Sequence, residues 1–475
     1  MMIKLDPQSL TNFSDGLITS GAVSDGQMPL SIVSKSLNFD FDKIGSVKTR
    51  KGTTILGNQI DSATNILGLY EFRDSGTGTD NQIMTVNGTV LYYLSGSTWT
   101  SKRTGLTASA KAEFTTFLDY VFMVNGNEAT QTWSGATGAS FGTTNAVDAP
   151  VGNYIENFRS RVWIADNEDR VYYSSLPSTD TPPTITWDTT NDYIDISPQD
   201  GDNTTKLKRY KNALLLFKRE HIYRIYSINE TEPDPKISVG TYSGRSVVEA
   251  VDGVYFHHPT GIYRYSDGGV FCISQPVIDF IDGITVANYT KIVGWQDGNN
   301  VYFSIGNVSV GDIDYTDVVL KYTISSRVWT FRSYPTQILA SSQYNDGTTI
   351  YNVCGDDDGN IVKMDTGNTD NGSSIFYSLE SRPYTLDGLF STRKHISKMA
   401  VIHQNAIGAS VKYRVDADDE SDLKQLTFIT DKIAKPFTVD IKGNKIYFNI
   451  SGTSVGEQIE INGFEILESS AETIG

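Results

Sequence analysis

A hairpin-sized pattern recurs along the middle of this chain. A short strand ends in a polar turn, and the returning strand places an aliphatic residue beside a tyrosine or a basic residue. The pattern reads NGTVLYYLSG around Val90, NEDRVYYSSL around Val171, REHIYRIYSI around Ile222, PTGIYRYSDG around Ile262, TDVVLKYTIS around Val319 and DGNIVKMDTG around Ile361. A degenerate copy, GNEATQTWSG, falls near Thr130. Hairpins that cannot each bury a core must stack around or along an axis, and a step of about 40 to 57 residues is the length of a four-stranded propeller blade or slightly more. The expected fold is therefore all-β, a β-propeller of about seven blades, with six possible.

Each returning strand follows an earlier one that is almost continuously apolar: QIMTV at Ile83, YVFMV at Val121, RVWIA at Val162, ALLLF at Leu214, GVYFH at Val254, NVYFS at Val301 and TIYNV at Ile350. Runs apolar on both faces suit strands covered on both sides, and these are read as inner strands of the blades, with the returning strands in the middle of each blade. Several units close on a tryptophan (Trp99, Trp133, Trp187, Trp329), expected to pack between blades. With 26 Tyr and 21 Phe the chain is rich in side chains that favour pleated surfaces, which agrees with strands throughout.

The propeller is assigned to residues 61–375. Before it, residues 1–60 read as an extended N-terminal arm in which Leu37, Phe39 and Phe41 alternate ahead of a glycine turn. Such an arm would complete the last blade or lie on a neighbouring subunit, and its removal would spare the propeller. After it, residues 376–475 lose the repeat and read as a C-terminal antiparallel β-sandwich, with Val411, Tyr413 and Val415 on one face and Ile446, Phe448 and Ile450 on another. The acidic run at 416–422 reads as a solvated loop.

Chemistry-bearing motifs fail one by one. Gly96, Thr98 and Trp99 match part of a sialidase Asp-box, but Tyr92 and Leu94 stand where its Ser and Asp belong. Asp356, Asp358 and Asn360 match the first positions of a calcium loop, yet Ile361 replaces the turn glycine and Gly367 the closing glutamate. His257 and His258 are adjacent on a strand and point to opposite faces, so they cannot share one metal. Cys272 and Cys354 have no metal-ligand spacing and read as small buried hydrophobes of a protein made in a reducing compartment. The expectation is a non-enzyme without catalytic, cofactor or metal residues. The expectation also includes no secretory leader and no membrane insertion, since the opening MMIKLDPQSL lacks a leader's apolar stretch and no apolar run approaches the roughly 18 residues of a membrane helix.

A net charge of −17 disfavours wrapping nucleic acid with the whole surface. Against it stand two basic groups: Lys206, Lys208, Arg209, Lys211, Lys218 and Arg219 around Tyr210, and Lys48 with Arg50 on one strand face. Both read first as surfaces for ion pairs with another copy, and second as phosphate-contacting patches.

In the order of its parts the chain resembles the packaged-DNA stabilisation proteins, also called tail nozzle or hub proteins, of short-tailed bacteriophages. The arm LNFDFDKIGSVKTRKGTT is similar to that family's opening segment at Asn38, Gly45, Val47, Arg50 and Gly52. ENFRSRVWIADNEDRVYYSS and LKRYKNALLLFKREHIYRIYSI look like two of its successive blades. The resemblance implies a homohexameric ring in the virion tail, assembled in the host cytoplasm between an adaptor ring and a tail fibre, spike or needle. Such a ring closes the DNA channel, retains the packaged genome and passes double-stranded DNA during ejection. It makes Leu37, Asn38, Phe39, Phe41, Val47, Lys48, Arg50 and Gly52, with the basic cluster, candidate interaction residues. A glycan-binding or glycan-cleaving propeller, such as a receptor-binding protein or depolymerase, and a monomeric propeller scaffold remain the alternatives.

Overall fold

The computed structural model describes residues 2–19, 31–43, 45–73, 82–136, 138–143, 145–180, 183–229, 238–267, 269–311, 313–386, 389, 391–416, 423–431, 434–454 and 456–472. Seven antiparallel blades follow one another around an axis. Six are separate sheets whose innermost strands are Ile66–Phe72, Glu113–Phe117, Tyr154–Phe158, Thr204–Tyr210, Val248–Ala250 and Ile338–Asn345. The remaining blade, sixth in chain order, begins at Val293–Gln296 and forms the inner part of a ten-stranded sheet. The returning strands of the sequence repeat are the third strands of the blades, from Val90–Ser95 to Ile361–Lys363.

The apolar runs are inner strands covered on both faces, as the sequence suggests, each lying one place out from the axis. Ala213–Lys218 and its counterparts are second strands. In this position both faces are covered by neighbouring blades. Leu214 and Leu216 join a cluster with Trp163 on one side, while Leu215 and Phe217 join Phe256 on the other. Likewise Val121 and Met123 pack with Trp133, and Phe122 and Val124 with Trp187. Burying such a side chain on either face stabilises by about 1.5–3 kcal/mol, which selects apolar residues at every position of the strand. The innermost strands are mixed in composition because one edge borders the axial channel. Trp99, Trp133, Trp187 and Trp329 are all buried between or beside blades, as expected.

The N-terminal segment is extended, but it is not an arm standing apart. Thr54–Ile55 pairs antiparallel with Ile361–Lys363 and supplies the outer strand of the last blade, closing the propeller with the chain's own beginning. Ile32–Leu37 enters between Val328–Ser333 of blade 6 and Ile375–Ser381, and Phe39–Lys43, Ser46–Thr49, Met2–Leu5 and Gln8–Leu10 join the sheet of Glu460–Glu472. The residues 1–60, 61–375 and 376–475 are therefore not three separable pieces.

The C-terminal strands form the expected sandwich, with N-terminal strands woven into both layers. One layer runs Phe437–Gly443, Arg393–Gln404, Glu460–Glu472, Ser46–Thr49 and Phe39–Lys43; the other continues blade 6 through Ile32–Leu37, Ile375–Ser381, Ile446–Ser454, Ser410–Val415 and Lys424–Phe428. Their inner faces meet in one core, where Phe448 stacks on Phe464 at 5.3 Å and Phe39 meets Tyr377 edge-on at 5.4 Å. Of the acidic run only Asp416 lies within the described residues. Its carboxylate accepts the backbone N–H groups of Asn444 and Lys445, so this end of the run caps a turn.

Candidate functional site

The residues that carry the N-terminal motif converge on the junction between sandwich and propeller. Asn38 sits at φ 59°, a left-handed conformation that asparagine tolerates, and this turns the chain between two strands. Its amide donates to the Phe376 carbonyl at 2.8 Å, and its side-chain oxygen accepts from Arg50 Nε and Ser333 N–H, both at 2.9 Å. Arg50, 1% exposed, grips Asp370 with both terminal nitrogens, donates to the carbonyls of Lys51 and Ser333, and lies 4.2 Å from the centre of the Tyr334 ring. Gly52 is required by contact: a Cβ there would stand 1.9 Å from the Thr369 carbonyl oxygen. Phe39, Phe41 and Val47 are buried in the shared core, and Leu37 pairs with Phe331 and Ser378.

These residues are consumed within the chain, which corrects their reading as contacts to other subunits. Lys48 is exposed whereas Arg50 is buried, so the two basic groups share no surface. The strand ends at Thr49, and the chain turns inward before Arg50. Sequence reasoning missed the partners of this junction. Arg332, 2% exposed, bonds both oxygens of Asp40 and reaches Asp365 at 2.9 Å, while Lys321 lies 3.4 Å from Asp40. Burial pushes the Asp40 carboxyl up, but Arg332 and Lys321 outweigh it and hold the group below the usual carboxylate range. The available signal was the placement of Lys321 and Arg332 inside otherwise apolar strands, LKY and WTFRS.

The second basic cluster is likewise divided. Lys206, Lys208 and Arg209 line the axial channel, Lys211 occupies an exposed turn beside Asp267, Lys218 is fully buried, and Arg219 is exposed near the Tyr242 ring. Alternation along a strand and the hairpin between Tyr210 and Ala213 send neighbours in sequence to different ends and faces. Most of these cations meet acids of their own chain: Lys206 reaches Glu113 at 2.5 Å, Lys208 reaches Glu249 at 3.1 Å, and Lys218 bridges Asp169 and Asp200 at 2.7 and 2.9 Å. The sequence reading placed ion pairs between copies, whereas these pairs join parts of one chain. A single basic patch of all six residues does not form.

What the blades do assemble is a channel of about 450 Å³ to which every blade contributes, blade 5 through Gly244, Arg245 and Val247 just ahead of its innermost strand. Its charged wall holds Glu113, Glu156, Lys206, Lys208, Arg209 and Arg245, a net cationic passage in an acidic protein. Burial raises the Glu113 carboxyl, but Lys206, Arg245 and Lys111 together hold it below the ordinary range. Burial pushes the Tyr154 phenol up to about 12, with Glu113 adding to the effect. The signal for this channel was absent from any one segment, because its wall takes two to four residues from each blade.

The other sequence candidates have local roles. His257 is fully buried, and His258 on the opposite face meets Thr260 and Glu220 at 2.7 and 3.1 Å. Asp356 accepts the backbone N–H groups of Asp358 and Asn360 and the Thr336 hydroxyl, the pattern of a hairpin turn. Cys354 is buried as expected and burial raises its thiol, whereas Cys272 is only partly covered.

No protein-family model matches the chain, and no curated protein matches it. Among solved structures, the chain is similar to the computationally designed Ika8 protein at 10% identity and a TM-score of 0.40, over 66% of this chain and 99% of that one. It is also similar to the extracellular domain of the putative one-component system BT4673 from B. thetaiotaomicron, at 10% identity and a TM-score of 0.44, over 86% of this chain and 59% of that one. A third is Sqt1 of Saccharomyces cerevisiae, at 7% identity and a TM-score of 0.40, over 67% and 99%. Likeness at this level carries no functional argument.

Proposed function

We propose that this chain is a structural subunit of a short bacteriophage tail, a ring-forming hub at the distal end that retains the packaged genome and passes it during ejection. One observation carries the reading beyond the sequence resemblance. The ten-stranded sheet extends from the channel-side strand of blade 6 to the far edge of the sandwich, with the N-terminal strand Ile32–Leu37 in its middle, joined to blade 6 at the parallel pair Leu37–Phe331 and to Ile375–Ser381 along its length. Hydrogen bonding of this kind transmits load between the two units without a hinge, which suits a part of a mechanical wall.

Phe376 and Phe428, 51% and 60% exposed, stand on the same outward face of that sheet, where register places Ser378, Ser451, Ser410 and Phe428 in one row. Exposed aromatic side chains on a flat sheet face suit contact with another subunit. Six copies would together carry a charge of roughly −100, which favours sliding of DNA past the ring over adhesion to it. Native mass spectrometry and cryo-electron microscopy of the full chain at neutral pH, alone and with the tail adaptor, test the reading. A discrete closed ring is expected; a chain that stays monomeric under both conditions overturns it.

A further inference from the structure

The channel opens, at the end where the innermost strands begin, into a recess of about 360 Å³. Three different blades each contribute one cation to it: Lys111 ahead of Glu113–Phe117, Arg245 in the turn Gly244–Ser246, and Lys291 ahead of Val293–Gln296. Arg245 also lines the main channel, so it stands at the boundary between recess and passage. Its guanidinium is held in place by donating to the carbonyls of Leu339, at 2.7 Å, and Leu67. Two of its five N–H donors are used this way, and the rest of the fork is left over. Lys111 donates to the Thr290 carbonyl at 2.5 Å, and Lys291 has no hydrogen-bond or ion-pair partner among the described residues.

Carbonyl oxygens orient Arg245 and Lys111 but do not neutralise them. The acid nearest in charge interaction, Glu113, is already ion-paired with Lys206. Elsewhere in this acidic chain buried cations meet carboxylates, as Arg50, Arg332 and Lys218 do. Burial, then Arg245, bring the Lys111 ammonium down to about 8, with Lys291 adding to the effect and Glu113 opposing it. A concave site where three cations meet, two of them held in place, with no resident counter-charge is complementary to an anion.

We propose that this mouth of the propeller channel binds a small, multiply charged oxyanion, a phosphate or a polycarboxylate, between Lys111, Arg245 and Lys291. The anion replaces the missing counter-charge, with the Arg245 fork and the two ammonium groups each donating to its oxygens. The inference rests on the channel and is independent of the hub reading.

Isothermal titration of the full chain at pH 7 and low ionic strength, with inorganic phosphate and separately with citrate, tests it and separates the two sources. One site per chain is expected for at least one of them. Lys111→Ala and Lys291→Ala should each weaken it about tenfold, and Lys435→Ala on the sandwich should not. Citrate keeps its full charge above pH 7, so its binding should weaken from pH 7 to 9 as Lys111 loses its proton, and should weaken less in Lys111→Arg. Melting curves of each variant establish that it is folded. Absence of saturable binding by both anions overturns the proposal, as does unchanged binding in the double variant Lys111→Ala/Lys291→Ala.

Discussion

Arg50 donates to both carboxylate oxygens of Asp370, at 2.9 and 2.5 Å, with the two side chains only 1% and 6% exposed. The pair joins the segment leaving the sandwich to the loop that follows the last blade, so it ties the chain's beginning to the point of propeller closure. Removing one member leaves the other buried and unpaired, at a cost of about 3–5 kcal/mol. Arg50→Ala should lower the denaturation free energy by that order, and Arg50→Lys should recover little of it, because a lysine cannot reproduce the two-pronged contact. A loss below about 1 kcal/mol in urea titrations of Arg50→Ala would contradict this role for the pair.

Deletion of residues 1–55 should abolish cooperative folding rather than merely detach a tail. It strips the outer strand from blade 7, opens the ten-stranded sheet beside Phe331 and Ser378, and uncovers the edge of Glu460–Glu472. The expected product is insoluble or lacks near-ultraviolet circular dichroism. A sharp melt close to that of the full chain would show that the threading is dispensable.

His257 makes stability depend on pH in a defined window. The ring is fully buried beside Tyr289, and neither ring nitrogen has a hydrogen-bond partner among the described residues. Burial, with the neighbouring His258 adding, brings the imidazole down to about 3. The folded value lies below the unfolded one, so the neutral ring contributes fully above about pH 6.5, and the contribution is lost as pH falls toward 3. The slope from this group is at most about 1.4 kcal/mol per pH unit. His257→Leu should flatten the decline measured by denaturant midpoints between pH 6.5 and 4; an identical profile in wild type and variant would refute the assignment.

Asp317 works with the opposite sign. Burial, then Asp357 and Asp358, push its carboxyl up to about 6. The folded value exceeds the unfolded one, so the group favours folding at low pH, and that contribution is lost as pH rises from about 4 through 6. Asn at this position keeps the φ of 48° accessible and removes the repelled charge. Asp317→Asn should therefore stabilise by about 1 kcal/mol at pH 8, after allowance for solvent screening, and by less at pH 4. Equal melting shifts at the two pH values would count against it.

The blade repeat was legible because it depends on short-range chemistry. Polar turns, tyrosine-bearing return strands and apolar second strands are all local, and Val90, Val171 and Ile262 mark their blades without any knowledge of the rest. The sandwich strands around Val411 and Phe448 were legible for the same reason. The candidate interaction residues were a different matter. Lys206, Lys211 and Lys218 are close in sequence but divide among the channel, an exposed turn and an interblade core. Asn38 and Arg50 pointed outward to partners only because Phe376, Ser333 and Asp370, about three hundred residues away, were not visible as their true contacts.

By itself, then, the sequence determined the kind of element and its repetition, since strand period, turn chemistry and burial preference act over a few residues. The tertiary structure alone decided which strands face the axis, where the N-terminal segment is threaded, and which charges are left without a partner. Those outcomes depend on closure of a ring and on pairing between the two ends of the chain. In a propeller, closure brings single residues from every blade to one channel, and Lys111, Arg245 and Lys291 become neighbours only when the seven blades meet.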